Sequence, residues 1–263
     1  MTVYENTFIG TVNGAITPGN SGSGGNALTA VSAGATYDNQ NVVRGDTSAA
    51  LTSTADCVLR WAVDTQAALA FRAYMVIPEA VTSDFGIFRF SHLVDTTAFA
   101  LYLNGANTLR ASAKGASNIW TAGATFPVGE VIRVEGYTTQ GDTTSSGSAR
   151  FAYYQGDSLT PIDDSGVLTG LNLGGDLGGF TQARVGKLAT TNPYPTMWVD
   201  ELKVHTGADA TGFIGPVPPP PTMYRWNGSE YVPVDAYRWN GTEYVQLDAY
   251  RWDGATYVPL VTA

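Results

Sequence analysis

The sequence predicts an all-β protein made of two packed antiparallel sheets, followed by a short repeated appendage. Three observations carry this expectation. The composition combines 30 glycines and 11% aromatic residues with only 14% charged residues, which suits many strands and tight turns and leaves little material for surface helices. Several segments alternate at period two, as half-buried strands do. Turn-forming pairs recur between them, at Asn104-Gly105, Gly141-Asp142, Gly156-Asp157 and Asp164-Ser-Gly166.

Taken in chain order, the expected strands are Cys57–Asp64, Leu69–Ile77, Phe85–His92, Ala98–Asn104, Val131–Thr139, Ala149–Gln155, Ala183–Leu188 and Thr196–Val204. Within the third, Phe88 and Phe90 flank Arg89, so the two rings share one face and the guanidinium takes the other. Phe151 and Tyr153 share a face in the same way. Residues 1–213 therefore read as one sandwich domain. The run Gly215-Pro-Val-Pro-Pro-Pro-Pro221 favours extended polyproline II, so residues 214–222 form a semi-rigid linker.

Residues 223–263 repeat with a period of 13: Tyr224-Arg-Trp-Asn-Gly-Ser-Glu-Tyr-Val, Tyr237-Arg-Trp-Asn-Gly-Thr-Glu-Tyr-Val and Tyr250-Arg-Trp-Asp-Gly-Ala-Thr-Tyr-Val. Asn-Gly or Asp-Gly between alternating residues signals a two-residue hairpin turn. Centred on Asn227-Gly228, that turn sets Trp226 against Ser229, Arg225 against Glu230 and Tyr224 against Tyr231. The aromatic face of each hairpin, Tyr224, Trp226 and Tyr231, then Tyr237, Trp239 and Tyr244, then Tyr250, Trp252 and Tyr257, is the expected assembly interface.

Several function classes are disfavoured. A net charge of −9 with no extended Lys/Arg cluster argues against nucleic acid. No stretch reaches the length of a membrane helix, so membrane insertion is not expected. The opening Met-Thr-Val-Tyr-Glu-Asn lacks a basic segment followed by an apolar run, so synthesis in a cytoplasm without a signal peptide is the expectation. Cys57 sits in an apolar setting that suits a core thiol, and His92 and His205 read as surface or strand-end histidines. The glycine-rich runs 19–25 and 170–179 contain no Gly-Lys-Ser/Thr and read as flexible loops rather than phosphate cradles. Asp200 and Glu201 are the most tempting acid pair. Neighbours on a regular strand point to opposite faces, however, which argues against a glycan-cleaving pair and against an enzyme.

The opening Glu5-Asn-Thr-Phe-Ile-Gly, the segment from Phe151 through Gly166, the closing Met197-Trp-Val-Asp-Glu-Leu and Gly212-Phe-Ile-Gly-Pro resemble the concanavalin A-like lectin/glucanase jelly rolls of actinobacteriophage structural proteins. The hairpin repeats are similar to the Trp-Asn/Asp-Gly tails of phage minor tail proteins. The resemblance implies a virion component that contacts other virion proteins and forms a homo-oligomer, with a trimer preferred. Relatives of this kind sometimes bind carbohydrate, and the favoured reading is a minor tail protein at the tip or fibre with host-surface carbohydrate binding. A capsid-decorating protein and, less favoured, a glycan-cleaving enzyme are the alternatives. Glycanases of this fold carry a Glu-x-Asp-x-x-Glu pattern that is absent here. No cofactor is required on this reading. Relatives often hold a structural Ca²⁺ between first and last strands, for which Glu5 and Asp200 are the candidates, and Trp120, in the polar Ser117-Asn-Ile-Trp-Thr, is the candidate glycan-contacting aromatic.

Overall fold

The structure, a computed structural model, describes residues 2–52, 57–93, 96–187, 195–207 and 210–217 and, beyond these, only the backbone of six short strands. The chain divides into two units, Met1–Pro216 and Val217–Ala263.

The first unit contains β1 (Thr2–Asn6), β2 (Ala30–Val31), β3 (Ala35–Asp38), β4 (Ser48–Leu51), β5 (Cys57–Gln66), β6 (Ala68–Val76), β7 (Phe85–Leu93) and β8 (Thr96–Leu103). It continues with β9 (Thr108–Ala113), β10 (Ala116–Thr125), β11 (Ile132–Thr139), β12 (Gly147–Gln155), β13 (Asp163–Asp164), β14 (Leu168–Leu171), β15 (Phe180–Lys187) and β16 (Met197–Thr206). Among the described residues the sole helical element is a 3₁₀ turn at Ser21–Gly24, and no helix is long and apolar enough to cross a membrane.

Two antiparallel sheets form the expected jelly-roll sandwich. Sheet one has the order β13-β12-β11-β6-β16-β4-β3, with β1 also paired to β16 and β14 to β12. Sheet two has the order β10-β9-β8-β7-β15-β5-β2. All eight strands read from the sequence form, each within a few residues of its expected bounds.

Alternation decides which side chains fill the gap between the sheets. Phe71 and Phe151 from sheet one meet Phe88, Phe90 and Phe99 from sheet two. Phe71 stacks on Phe88 at 3.7 Å between ring centroids, and Phe99 on Phe151 at 4.5 Å. Cys57 is buried in the same core. Gly136 on β11 faces this core, where an added Cβ would lie 2.6 Å from the Phe71 ring and 2.7 Å from that of Phe151. The missing side chain is what lets the two rings close over the strand.

Two expectations about local structure are corrected. His92 is not a surface histidine. It is 1% exposed, stacks on Phe180, and sets its ring nitrogens 3.1 Å from the Gly179 carbonyl and 2.7 Å from that of Leu173. The glycine-rich segment 170–179 is consequently pinned rather than loose, and the Gln140 amide also donates to the Gly174 and Gly178 carbonyls. Gly174, at φ +75°, is required because a Cβ there would lie 2.3 Å from His92 Nε2.

Beyond residue 217, three separate two-stranded sheets form: β17 (Met223–Trp226) with β18 (Tyr231–Val234), β19 (Tyr237–Trp239) with β20 (Tyr244–Gln246), and β21 (Tyr250–Trp252) with β22 (Tyr257–Pro259). The register differs from the one expected. Trp226 pairs with Tyr231, Trp239 with Tyr244 and Trp252 with Tyr257. Arg225 stands across from Val232, and Arg225 and Glu230 are not a cross-strand pair. Setting Trp against Tyr is the better exchange, since aromatic pairs across strands contribute roughly 0.2–1 kcal/mol while Trp against Ser adds little. The side chains of this unit, including all nine expected interface aromatics, lie outside the described residues.

Candidate ligand-binding face

The two outer faces of the sandwich differ in kind. On sheet one the register builds rows of compensating groups. Glu5, Lys203, Arg72 and Glu135 stand side by side on four adjacent strands. The next row runs Asp200, Tyr74, Arg133 and Tyr154. Arg133 and Glu135 are both about 1% exposed and lie 2.5 Å apart. Arg133 also donates to the Gly156 and Ser158 carbonyls and stacks 4.2 Å over the Tyr154 ring. Every strong donor of this buried ion is thereby engaged, the condition under which a buried pair is tolerated.

The chain itself closes this face. Residues 210–216 run across it as a strap. Phe213 meets Tyr137 edge-on at 5.5 Å and Tyr154 at 6.3 Å, with the Arg150 guanidinium 5.1 Å from its ring. The Gly215 N–H donates to Glu135 Oε2, and the Gly215 carbonyl accepts from Arg72 Nη1. Ile214 packs beside Ala68 and Ala70. The segment expected as the first part of the linker is thus bonded to the sheet as far as Gly215.

Asp200 and Glu201 lie under the same face, and here the sequence argument is corrected. The pairing of β16 with β6 shifts between Asp200 and Lys203, and Glu201 takes φ +50°. This bulge adds one residue, so Asp200 and Glu201 both lie away from the core, between inward-facing Val199 and Leu202. Strand alternation therefore does not separate them. Enclosure does: Asp200 is 1% exposed and accepts from Ser48 Oγ at 3.1 Å and from the Glu201 N–H at 2.8 Å. Burial pushes its carboxyl up to about 8, helped by the charge of Glu201. Burial also raises Glu201, while Arg72, 3.7 Å away, opposes the shift. A glycan has no path to the Asp200 carboxyl.

Of the two candidate Ca²⁺ ligands, Glu5 pairs with Lys203 at 3.2 Å and lies 3.9 Å from Arg72. Asp200 is held by hydrogen-bond donors, and among the described residues no three His, Cys, Asp or Glu side chains converge. Trp120 is also reassigned. It lies on β10, not in a loop, opposite core residue Ala111, half-buried with its ring 6.3 Å from Phe151. The exposed neighbours in Ser117-Asn-Ile-Trp-Thr gave that strand a loop-like composition. Trp120 packs in part against the core.

Sheet two presents the open face. A concavity of about 470 Å³ lies over β8, β9 and β10, lined by Thr97, Tyr102, Ser112 and Lys114 with the Gly115-Ala-Ser117 turn. Arg110 stacks 5.3 Å over the Tyr102 ring and pairs with Asp84 at 2.5 Å, while Lys114 pairs with Asp176 at 3.0 Å. Beside it, register sets Arg60 of β5 directly opposite Arg184 of β15, and Arg184 directly opposite Arg89 of β7. Sequence reading placed Arg89 outward but missed this row, because the three arginines are far apart in the chain and only topology aligns them.

No family model and no curated protein matches this chain. Among solved structures, the binding domain of Paraclostridial Mosquitocidal Protein 1 is similar over 78% of this chain and 48% of its own, at 11% identity and a TM-score of 0.49. Trypanosoma rangeli sialidase in complex with the inhibitor DANA aligns with 77% of this chain at 13% identity and a TM-score of 0.47, and the chain spans 30% of it. Arcelin-5, a lectin-like defense protein from Phaseolus vulgaris, is matched over 77% of this chain and 96% of its own, at 10% identity and a TM-score of 0.43.

Proposed function

We propose that the chain is a non-enzymatic structural and adhesion protein of a bacteriophage virion, a minor tail component that presents its sandwich to carbohydrate on the host surface. The observation that carries this reading is the asymmetry of the sandwich. One outer face is charge-matched and covered by the chain's own strap, while the other is open, polar and hollowed beside Tyr102. Sugars are bound by concave surfaces of this kind, where a few hydroxyl-bearing side chains lie beside an aromatic ring. The proline-rich connection and three repeated hairpins suit attachment to other virion proteins and to further copies of the chain, and several copies would raise the avidity of weak individual sites. The enclosed Asp200 supports a binding role over glycan cleavage.

Glycan-array binding by the assembled full-length chain tests adhesion. The expected result is retention of a subset of glycans with no turnover. Absence of binding across neutral and acidic glycans alike would remove the adhesion role. A label on the protein in intact particles, found on the head and not the tail, would replace the tail assignment with capsid decoration.

A further inference from the structure

We infer that the outer face of sheet two carries an anion-binding site, built on Arg60, Arg184 and Arg89, that selects acidic glycans: polysaccharide chains bearing carboxylate or sulfate groups. This rests on the carbohydrate-binding reading above and specifies its ligand class.

The arginines occupy directly paired positions on three neighbouring strands. Directly opposed residues on one face have Cβ atoms roughly 4.5–5.5 Å apart, and like charges so placed are destabilising. Direct opposition within the sheet therefore does not by itself account for Arg60 and Arg89, which flank Arg184. Other faces of this molecule show what compensation looks like, since Arg133, Arg150 and Arg44 each lie within 2.6 Å of a carboxylate oxygen. Among the described residues, no carboxylate lies within ion-pair distance of Arg60 or Arg89. The Nε atoms of both are buried with no hydrogen-bond partner among the described residues, and Arg89 Nη1 donates to Thr97 Oγ1 at 3.4 Å. Arg184, between them and 9% exposed, is aimed by its neighbour, with both Nε and Nη2 donating to Gln182 Oε1.

The row opens onto the concavity. Register continues it from Arg89 to Ala100 and then to Ser112, whose side chain lines the hollow, as does that of Thr97. A ligand seated against Tyr102, Ser112 and Thr97 therefore lies beside the guanidinium of Arg89. Arg110 and Lys114 border the same hollow. Five of the 14 cationic residues of a chain with net charge −9 thus share one face. Planar guanidiniums match carboxylate and sulfate oxygens with two parallel N–H donors, and are desolvated more readily than ammonium groups. The chemistry fits an acidic sugar whose ring rests in the hollow while its anion meets the arginines.

The test uses the full-length chain, immobilised oligogalacturonate as the carboxylate probe, heparin as the sulfate probe and dextran as the neutral control. The expected result is salt-sensitive binding to at least one acidic probe and little to dextran. The double variant R60Q/R89Q should lose at least about tenfold in affinity, since each charge-assisted bond is worth roughly that factor. It should unfold at the same temperature as the parent or higher, because like charges have been removed. R89K, which keeps the charge but not the fork, should bind with intermediate strength. Acidic-probe binding that is unchanged in R60Q/R89Q, or binding to dextran alone, would overturn the anion site and leave glycan adhesion standing. Absence of binding to every glycan of the array would overturn both. Which acidic probe is held decides between carboxylate and sulfate.

Discussion

Asp200 shows how one residue can be legible by name and opaque by environment. Its place on the last sandwich strand was plain, but a bulge changes which face its neighbour takes, and a bulge leaves no mark in Val-Asp-Glu-Leu. The consequence is a linkage between folding and pH. In the folded state burial pushes the carboxyl up to about 8, against an ordinary value of 3.8. Between these values the unfolded chain has released the proton and the folded chain retains it. The contribution of this group to stability is therefore complete below the lower value and is lost as pH rises through the upper one. Substitution D200N removes that loss while keeping an oxygen for the Glu201 N–H. The stability difference between D200N and the parent should shift in favour of the variant from about pH 5 to about pH 8, with a ceiling of roughly 1.4 kcal/mol per pH unit. Thermal unfolding at the two pH values measures it. A difference that stays constant would mean that Asp200 is already ionised in the folded chain.

Among elements, those written in large alternating side chains were the readable ones. Phe85–Leu93 and Gly147–Gln155 announce themselves through the alternating pairs Phe88/Phe90 and Phe151/Tyr153. The strands that escaped reading lack that contrast. Ser48–Leu51 is buried at all four positions, so it has no polar face, and Ala116–Thr125 is mostly small and exposed around Ile119 and Trp120. Short edge pairs such as Ala30–Val31 and Asp163–Asp164 hold too few residues to show a period. The strap was half legible: Gly212-Phe-Ile-Gly-Pro stood out as a closing motif, but only the fold shows that it closes a sheet face. Phe213 anchors it through two rings and one guanidinium. Substitution F213A should lower stability by about 1–3 kcal/mol, since each aromatic pair contributes about 0.5–1.5 kcal/mol beyond its buried area. A lower urea midpoint is the expected reading, and an unchanged midpoint would show that the strap rests on the sheet without bracing it.

For the whole molecule, the contrast is between a unit that holds itself together and one whose own parts are slight. The sandwich has a continuous core from Phe8 to Val204 and a covered face. The second unit is three two-stranded sheets with strands of three or four residues. An isolated hairpin of that size is marginal in water, and a segment near 40 residues ordinarily needs disulfides, a metal or partners. Residues 223–263 contain no Cys or His, so partners are what their chemistry leaves. Register sets a Trp directly across from a Tyr in all three hairpins, and aromatic side chains bury roughly 150–250 Å² each when covered. Assembly through this unit is therefore the outcome to test, and the place to cut is after Pro216, because a cut before Gly215 would also remove the strap's bonds to Glu135 and Arg72. A chain of residues 1–216 should keep the unfolding temperature of the sandwich and run as a monomer in light scattering, where the full chain runs as an oligomer. If the shortened chain retains the oligomeric state of the full one, the copies associate through the sandwich, and the hairpins have a role other than self-assembly.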